Sequence, residues 1–404
     1  MFFRSLILFL LSATSSIAAF TVSERLRCGK YQEIVQDAKQ PRDGEWAFAR
    51  YFLVPDKVTY EAAFKAHQAG DLLGKFIVMR CHRDGAGVKQ DMTVFWRMNA
   101  DLRTALTKME NVPAAGYYLL SYLTQADLEG HVDVSKFANA DEASRVAGKF
   151  QHEHLFTAAK SGFAQAMTEA GARMQKEKPE EALAWYHKAA DLGLAEGMRN
   201  MGYLVATGKG LPKKDEEEAV RWMRKAATLG DVDAMMNMVA FFELLQVAGV
   251  TETEAVEWIN KMEATGHPLG YFEKGVALLR GVHGFRPDKP QGMALLQKAA
   301  ATGNGFVLGQ IAWLYSKGEG LPHSHRKAVE FAKASWSQGN IDVLPVLDAA
   351  YRQDTELSAK TAEAAYWKKL AEGAKPKEVA ELDANNPEIL LALDKIDPFA
   401  LKVE

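Results

Sequence analysis

The sequence predicts an all-α chain built from stacked helix pairs, and three spacings carry that prediction. A glycine closing a Lys-Ala-Ala-like helix end recurs at Gly193, Gly230, Gly266, Gly303 and Gly339, in steps of 37, 36, 37 and 36 residues. Eight residues before each stands a large side chain (Trp185, Trp222, Trp258, Leu295, Phe331), and eleven before a small one (Ala182, Ala219, Ala255, Gly292, Ala328). Nine after the first four glycines come Gly202, Val239, Gly275 and Ala312, with Asp348 departing in the fifth unit. A fixed period of this length marks a repeat array, in which each unit buries its apolar face only by stacking on a neighbour.

Each unit parses as a helix, a break and a second helix. Leu194 to Thr207 places Gly197, Met201, Gly202 and Val205 on one helical stripe. Gly208-Lys209-Gly210-Leu211-Pro212 ends it, because glycine accepts left-handed backbone and proline cannot continue the ladder. A second helix over Glu216 to Thr228 presents Ala219, Trp222 and Ala226 on one face. Its opening Glu216-Glu217-Glu218 complements the positive end of the helix dipole. Small residues at the crossing let the two helices approach, and the tryptophan fills the space between successive units.

The flanks read differently. Met1 to Arg4 is a short positive start and Ser5 to Leu11 a short apolar run, after which Ser16 and Ala18 fit the −3 and −1 sites of a signal peptidase. Residues 1–18 are therefore expected to be a cleaved secretory signal, far short of the roughly 20 apolar residues a span requires. The mature chain is expected to be periplasmic or secreted, with no membrane span. Residues 19–160 are expected to hold degenerate helical repeats, 161–373 the regular array, and 374–404 a capping tail punctuated by Pro376, Pro387 and Pro398. Export makes Cys28 and Cys81 candidates for one disulfide, worth about 2–4 kcal/mol if the geometry allows, with two buried thiols as the alternative.

Composition narrows the function. An apolar content of 48% excludes disorder, and 2 cysteines in 404 residues exclude a disulfide-dense miniprotein. With 49 Lys plus Arg against 52 Asp plus Glu, the net charge of −3 offers no electrostatic footprint for nucleic acid. His152-Glu153-His154 lacks the i, i+4 spacing of a helical zinc site, and His323-Ser324-His325 falls in a loop. The Gly-x-Gly pairs 208/210 and 318/320 end helices instead of opening them, so they lack the dipole that would hold a phosphate. No Ser/His/Asp or Cys/His constellation stands out. The chain is expected not to be an enzyme and to need no metal or cofactor.

These residues resemble the Sel-one-like repeat (SLR) family, a relative of the tetratricopeptide repeat. Gly303, Val307, Ile311, Ala312, Tyr315, Gly318, Glu319, Gly320 and Leu321 follow its pattern, as do Gly70, Gly74, Val78, Gly85-Ala86-Gly87-Val88 and Asp91. Degenerate units start at Gly162 and Asn111, for about eight or nine units in all. The resemblance implies a right-handed superhelical solenoid that binds a protein partner along a concave face lined by the first helices. The family's phase puts Glu196, Arg199 and Tyr203, then Met236, then Leu269, Phe272 and Arg280, then Phe306 and Trp313 on that face. The alternative is that Phe272, Phe306 and Trp313 pack against neighbouring helices. Ala255-Val256-Glu257-Trp258 through Gly266-His267-Pro268-Leu269-Gly270-Tyr271-Phe272 is similar to the central segment of exported SLR proteins, some of them immunity proteins against type VI lipase toxins. The function implied is a periplasmic scaffold, monomeric when free, that sequesters a secreted toxin. A scaffold regulating a peptidoglycan enzyme of the envelope, or a weak β-lactam-binding hydrolase, is the alternative.

Overall fold

The computed structural model describes residues 23–37, 43–109, 111–128, 140–242, 249–373 and 376–404; the signal expected over 1–18 lies outside them. Among the described residues the regular elements are all helices. The described residues form two compact units, those within 1–80 and 92–251 and those within 81–91 and 252–404, so the chain divides well after the point where the repeat signature strengthens. In the first unit lie α1 (Glu24–Arg27), α2 (Tyr31–Gln36), α3 (Gly44–Tyr51), α4 (Lys57–Gln68), α5 (Leu72–Asp84, its last turn counted with the second unit), α6 (Met92–Thr107) and α7 (Ala114–Leu128). There follow α8 (Ala140–Lys160), α9 (Ala164–Met174), α10 (Pro179–Asp191), α11 (Ala195–Thr207), α12 (Glu216–Thr228) and α13 (Val232–Ala240). The second unit holds α14 (Glu252–Ala264), α15 (Pro268–Arg280), α16 (Lys289–Ala300), α17 (Gly305–Lys317), α18 (His325–Ser337) and α19 (Leu344–Gln353). It closes with α20 (Thr355–Ser358), α21 (Thr361–Ala371), α22 (Pro376–Asn385) and α23 (Pro387–Asp394).

The architecture is a helical repeat solenoid. Within the first unit α7 pairs with α8, α9 with α10 and α11 with α12; within the second, α15 pairs with α16 and α17 with α18. Three of these pairs, α11–α12, α15–α16 and α17–α18, are set by the same local chemistry. The first helix ends on a left-handed glycine: Gly208 (φ 70°), Gly281 (φ 66°) or Gly318 (φ 72°). The second opens on a capping side chain that accepts from a backbone N–H three residues on, Asp215 from Glu218, Asp288 from Gln291 and Ser324 from Lys327. The capping residue's own N–H donates back to the first helix, Asp215 to Val205 O, Asp288 to Leu278 O and Ser324 to Tyr315 O, at 3.1, 2.9 and 3.0 Å. Asp91 N donates likewise to His82 O at 2.9 Å, which marks 81–91 as the tail of an earlier repeat. This clasp fixes the angle of the pair without depending on any one side chain in the loop.

The small crossing residues act as the spacing predicts. A Cβ at Gly292 would lie 2.9 Å from Gly275 O, so α15 and α16 touch backbone to backbone there. The tryptophans behave less uniformly. Trp258 is buried, but Trp185 and Trp222 are half-buried, each lidded by the lysine three residues on, with Nζ 4.7 and 4.5 Å from the ring centroid. They seal the edge of the stack instead of sitting wholly within it.

The cores are aromatic. Phe48, Phe76, Tyr118 and Phe163, from α3, α5, α7 and the residue before α9, meet at centroid distances of 5.0 to 6.3 Å in the first unit. In the second, Leu296, Ile311, Tyr315, Phe331, Leu347, Tyr366 and Trp367 form one continuous cluster. A fully buried side chain of this kind contributes about 1.5–3 kcal/mol. Cys28 and Cys81, the expected bridge partners, are both buried. Cys81 lies inside helix α5 at 0% exposure and Cys28 just after α1 at 8%. The tail after residue 374 does more than cover the last repeat. Ile389 and Leu393 join the core cluster, and Leu401 joins it beside α16.

Candidate binding faces on the first helices

In the second unit, Phe306 and Trp313 stand on α17 with 48% and 39% of their surfaces exposed. They line a groove of about 230 Å³ with Gly309, Gln310, Val343 and Val346, and Asn340 and Asp342 complete it. Gly309 is what brings the opposite wall close, since a Cβ there would meet Asn340 Nδ2 at 2.7 Å and Val343 Cγ1 at 2.9 Å. That wall is pinned from behind. Asn340 Nδ2 donates to Ser335 Oγ (2.9 Å) and to Gly305 O (3.3 Å), and Asn340 Oδ1 accepts from Asp342 N (3.1 Å). Ile341, 64% exposed, extends the apolar surface from this same turn.

The other residues assigned to this face in the second unit do not join the groove. Phe272 is 6% exposed and belongs to the core cluster, a correction to its expected place on the binding face. On the tightly packed pair α15–α16, the ring has room only inward. Leu269 is partly buried against the same core. Arg280 is exposed, but its Nη2 pairs with Glu319 Oε2 at 2.6 Å, tying the end of α15 to the turn after α17.

The first unit presents a polar counterpart. A cavity of about 490 Å³ is lined by Phe52, Tyr122, Gln165, Glu169, Ala172, Arg173, Glu196, Arg199 and Asp233. Glu169 accepts from Tyr118 Oη and Tyr122 Oη, both at 2.6 Å, and the Arg80 guanidinium lies 4.6 Å from the Tyr122 ring centroid. Gln165 is a relay: its Oε1 accepts from Tyr31 Oη at 3.1 Å and its Nε2 donates to Glu196 Oε2 at 2.7 Å. Arg199 pairs with Asp231 at 3.1 Å and Asp233 at 3.7 Å. Burial pushes the Glu196 carboxyl up to about 7 against the pull of Arg199 and the Gln165 amide. Burial likewise raises Glu169 and Asp231, opposed by the tyrosine hydrogen bonds on one and by Arg199 on the other. Arg199 loses solvation, yet Asp231, Glu196 and Asp233 outweigh that and hold it charged.

Of the residues expected here, Glu196 and Arg199 enter the cavity. Tyr203 is exposed beside it in sequence, with Lys209 Nζ over its ring at 5.3 Å and against its hydroxyl at 3.3 Å, and Met236 is half-buried; neither lines the cavity. Sequence reasoning missed Gln165, Glu169 and Arg173. The signal was available, because Gln165 stands three after Gly162 as Glu196 does after Gly193 and Asp233 after Gly230.

Neither lining, nor that of a third cavity of about 730 Å³ beneath the tail, includes a serine, threonine, cysteine or histidine. Among the described residues no three His, Cys, Asp or Glu side chains are placed to hold a metal, and no helix is long and apolar enough to cross a membrane. The groups present can pack, hydrogen-bond and pair charges.

Stacked helix pairs with an open apolar groove and a polar cavity on their first helices define a protein-binding scaffold of the helical-repeat class. Residues 72–93, 166–194, 195–231, 269–304 and 306–340 each match the Sel1 repeat, so the array carries Sel1 repeats. Among solved structures it is similar to a Sel1 repeat protein from Oxalobacter formigenes, 26% identical over 56% of this chain and 99% of that one, with a TM-score of 0.43. It is also similar to a protective antigen of SLR fold from uropathogenic Escherichia coli, 19% identical over 89% and 86% of the two chains at a TM-score of 0.42. A third is an immunity protein from Pseudomonas aeruginosa, 21% identical over 55% and 83% at a TM-score of 0.39. No curated protein matches the chain.

Proposed function

We propose that this scaffold is exported and acts as an immunity protein, holding a secreted lipase toxin against the first-helix face and blocking it by covering its active mouth. The observation that carries the reading is the Phe306–Trp313 groove. Two large aromatic side chains are left half in water on a rigid helix, around a cleft with one apolar wall. Such anchors are enriched where protein partners bind, and leaving them exposed has no packing return within the fold. The groove takes one large apolar side chain from the partner, and Gln310, Asn340 and Asp342 at its lining supply hydrogen bonds that orient it. Export rests on the start of the chain, and the toxin class on the likeness of residues 255–272 to exported SLR immunity proteins.

The test is an affinity capture from the native envelope fraction with the tagged chain and, in parallel, with Phe306→Ala/Trp313→Ala. Recovery of a secreted lipase in near-equal amount by the first and not by the second is the expected result. A peptidoglycan enzyme in its place would make the chain an envelope scaffold. Capture that is indifferent to the two substitutions would remove the groove from the binding face.

A further inference from the structure

Residues 399–404 are seated across α16, α17 and α18 by bonds to their main chain as well as by packing. Gln297 of α16 engages the backbone of this segment through both ends of its amide: Nε2 donates to Leu401 O at 2.8 Å, and Oε1 accepts from Val403 N at 2.8 Å. Tyr315 of α17 repeats the arrangement one residue on, its hydroxyl accepting from Glu404 N at 2.8 Å and donating to Glu404 O at 2.9 Å. Lys327 of α18 reaches Lys402 O at 3.3 Å. Side chains from three successive helices thus satisfy the main chain of residues 401–404, which follow the turn at 397–400.

The side chains alternate. Leu401 is buried and Phe399 and Val403 are half-buried, while Ala400, Lys402 and Glu404 face solvent. The Phe399 ring lies where a Cβ on Gly303 would stand, 2.4 Å from its Cε1. Period-two burial with backbone-directed bonds is how a groove reads an extended peptide: the main chain supplies affinity and every second side chain a pocket. The fit is also incomplete. About 730 Å³ stays open alongside the tail, with Ile396 and Leu401 among the residues of one side and Val329 and Leu357 among those of the other.

We infer that this groove is a receptor for an extended peptide segment of a partner carrying apolar residues at alternate positions, and that residues 399–404 occupy it as an internal competitor. It is separate from the Phe306–Trp313 groove, with which it shares no lining residue, so it stands or falls independently of the immunity reading.

The probe is a fluorescein-labelled peptide with the sequence of residues 397–404, titrated by anisotropy into the full chain and into full-length Phe399→Ala/Leu401→Asp. The emptied variant is expected to bind at least ten-fold more tightly than the wild type, and adding Gln297→Ala to it should remove that gain. Equal, weak binding by all three chains with unchanged melting points would overturn the proposal. If the variant does not fold, hydrogen exchange on the wild type decides. Excess unlabelled peptide should speed exchange at the Val403 and Glu404 amides several-fold, and no acceleration would overturn it. A wild-type chain that sediments as a dimer, made monomeric by Leu401→Asp, would also overturn it, in favour of segment exchange between copies.

Discussion

Phe306 and Trp313 stand seven residues apart on α17, two turns along one face, and both border the groove closed by Val343 and Val346. Because each ring is already 48% or 39% exposed, neither holds the fold together. Phe306→Ala/Trp313→Ala is expected to shift stability by no more than about 1 kcal/mol, since exposed positions away from strained features tolerate truncation. Partner affinity should fall by at least roughly 30-fold, the loss of one or more binding hot spots. Thermal melts beside a binding titration check both halves, and a collapse in melting point would make the pair structural.

Phe272 is the internal control for that experiment. It was expected on the same face, yet only 6% of it is exposed and it packs in the cluster of Leu296, Ile311 and Phe331. Phe272→Ala should cost about 3–5 kcal/mol through lost burial and the cavity left behind. Denaturant unfolding of the two single variants, Phe272→Ala and Phe306→Ala, should therefore differ several-fold in effect. Similar modest losses would mean that Phe272 is not part of the core.

The repeat ruler made the fold legible because backbone geometry demands it. Left-handed turns need Gly208 and Gly318, and backbone contact needs Gly275 and Gly292. Those constraints recur at one period whatever the partner. The faces were harder to read for a physical reason. A phase transferred from a related repeat says which way a Cα points, not whether the next helix covers it, and so Phe272 and Phe306 were placed alike. Gln165 and Glu169 escaped notice because their unit is degenerate, and the tail's hold on Gln297 because a contact 104 residues away leaves no local pattern.

The cysteines yield a count. Export makes a Cys28–Cys81 bridge the expected state, so denatured and unreduced protein should show no thiol that reacts with a thiol reagent. Two reactive equivalents after denaturation would sink the bridge. The outcome also bears on stability under reducing conditions. A bridged chain should melt at a lower temperature with dithiothreitol than without it.

Glu196 gives the first unit a pH dependence of defined sign. Its carboxyl titrates near 7 in the folded chain because burial disfavours the charge, whereas in the unfolded chain it titrates near the ordinary value of about 4.3. Below about pH 4.3 both states hold the proton. Between there and 7 the unfolded chain releases it first, so the unfolded state binds fewer protons and stability falls as pH rises across that window. Allowing for solvent at this half-buried group, the loss is about 2 kcal/mol. Glu169 and Asp231 are raised in the same direction and add to the slope. Glu196→Gln keeps an amide beside Gln165 and leaves Arg199 paired with Asp231 and Asp233. Between pH 5 and 7.5 its melting temperature should therefore fall less than the wild type's, by roughly 4–8 °C for a unit of this size. Parallel curves would mean that water reaches the carboxylate freely and that the cavity is open in solution.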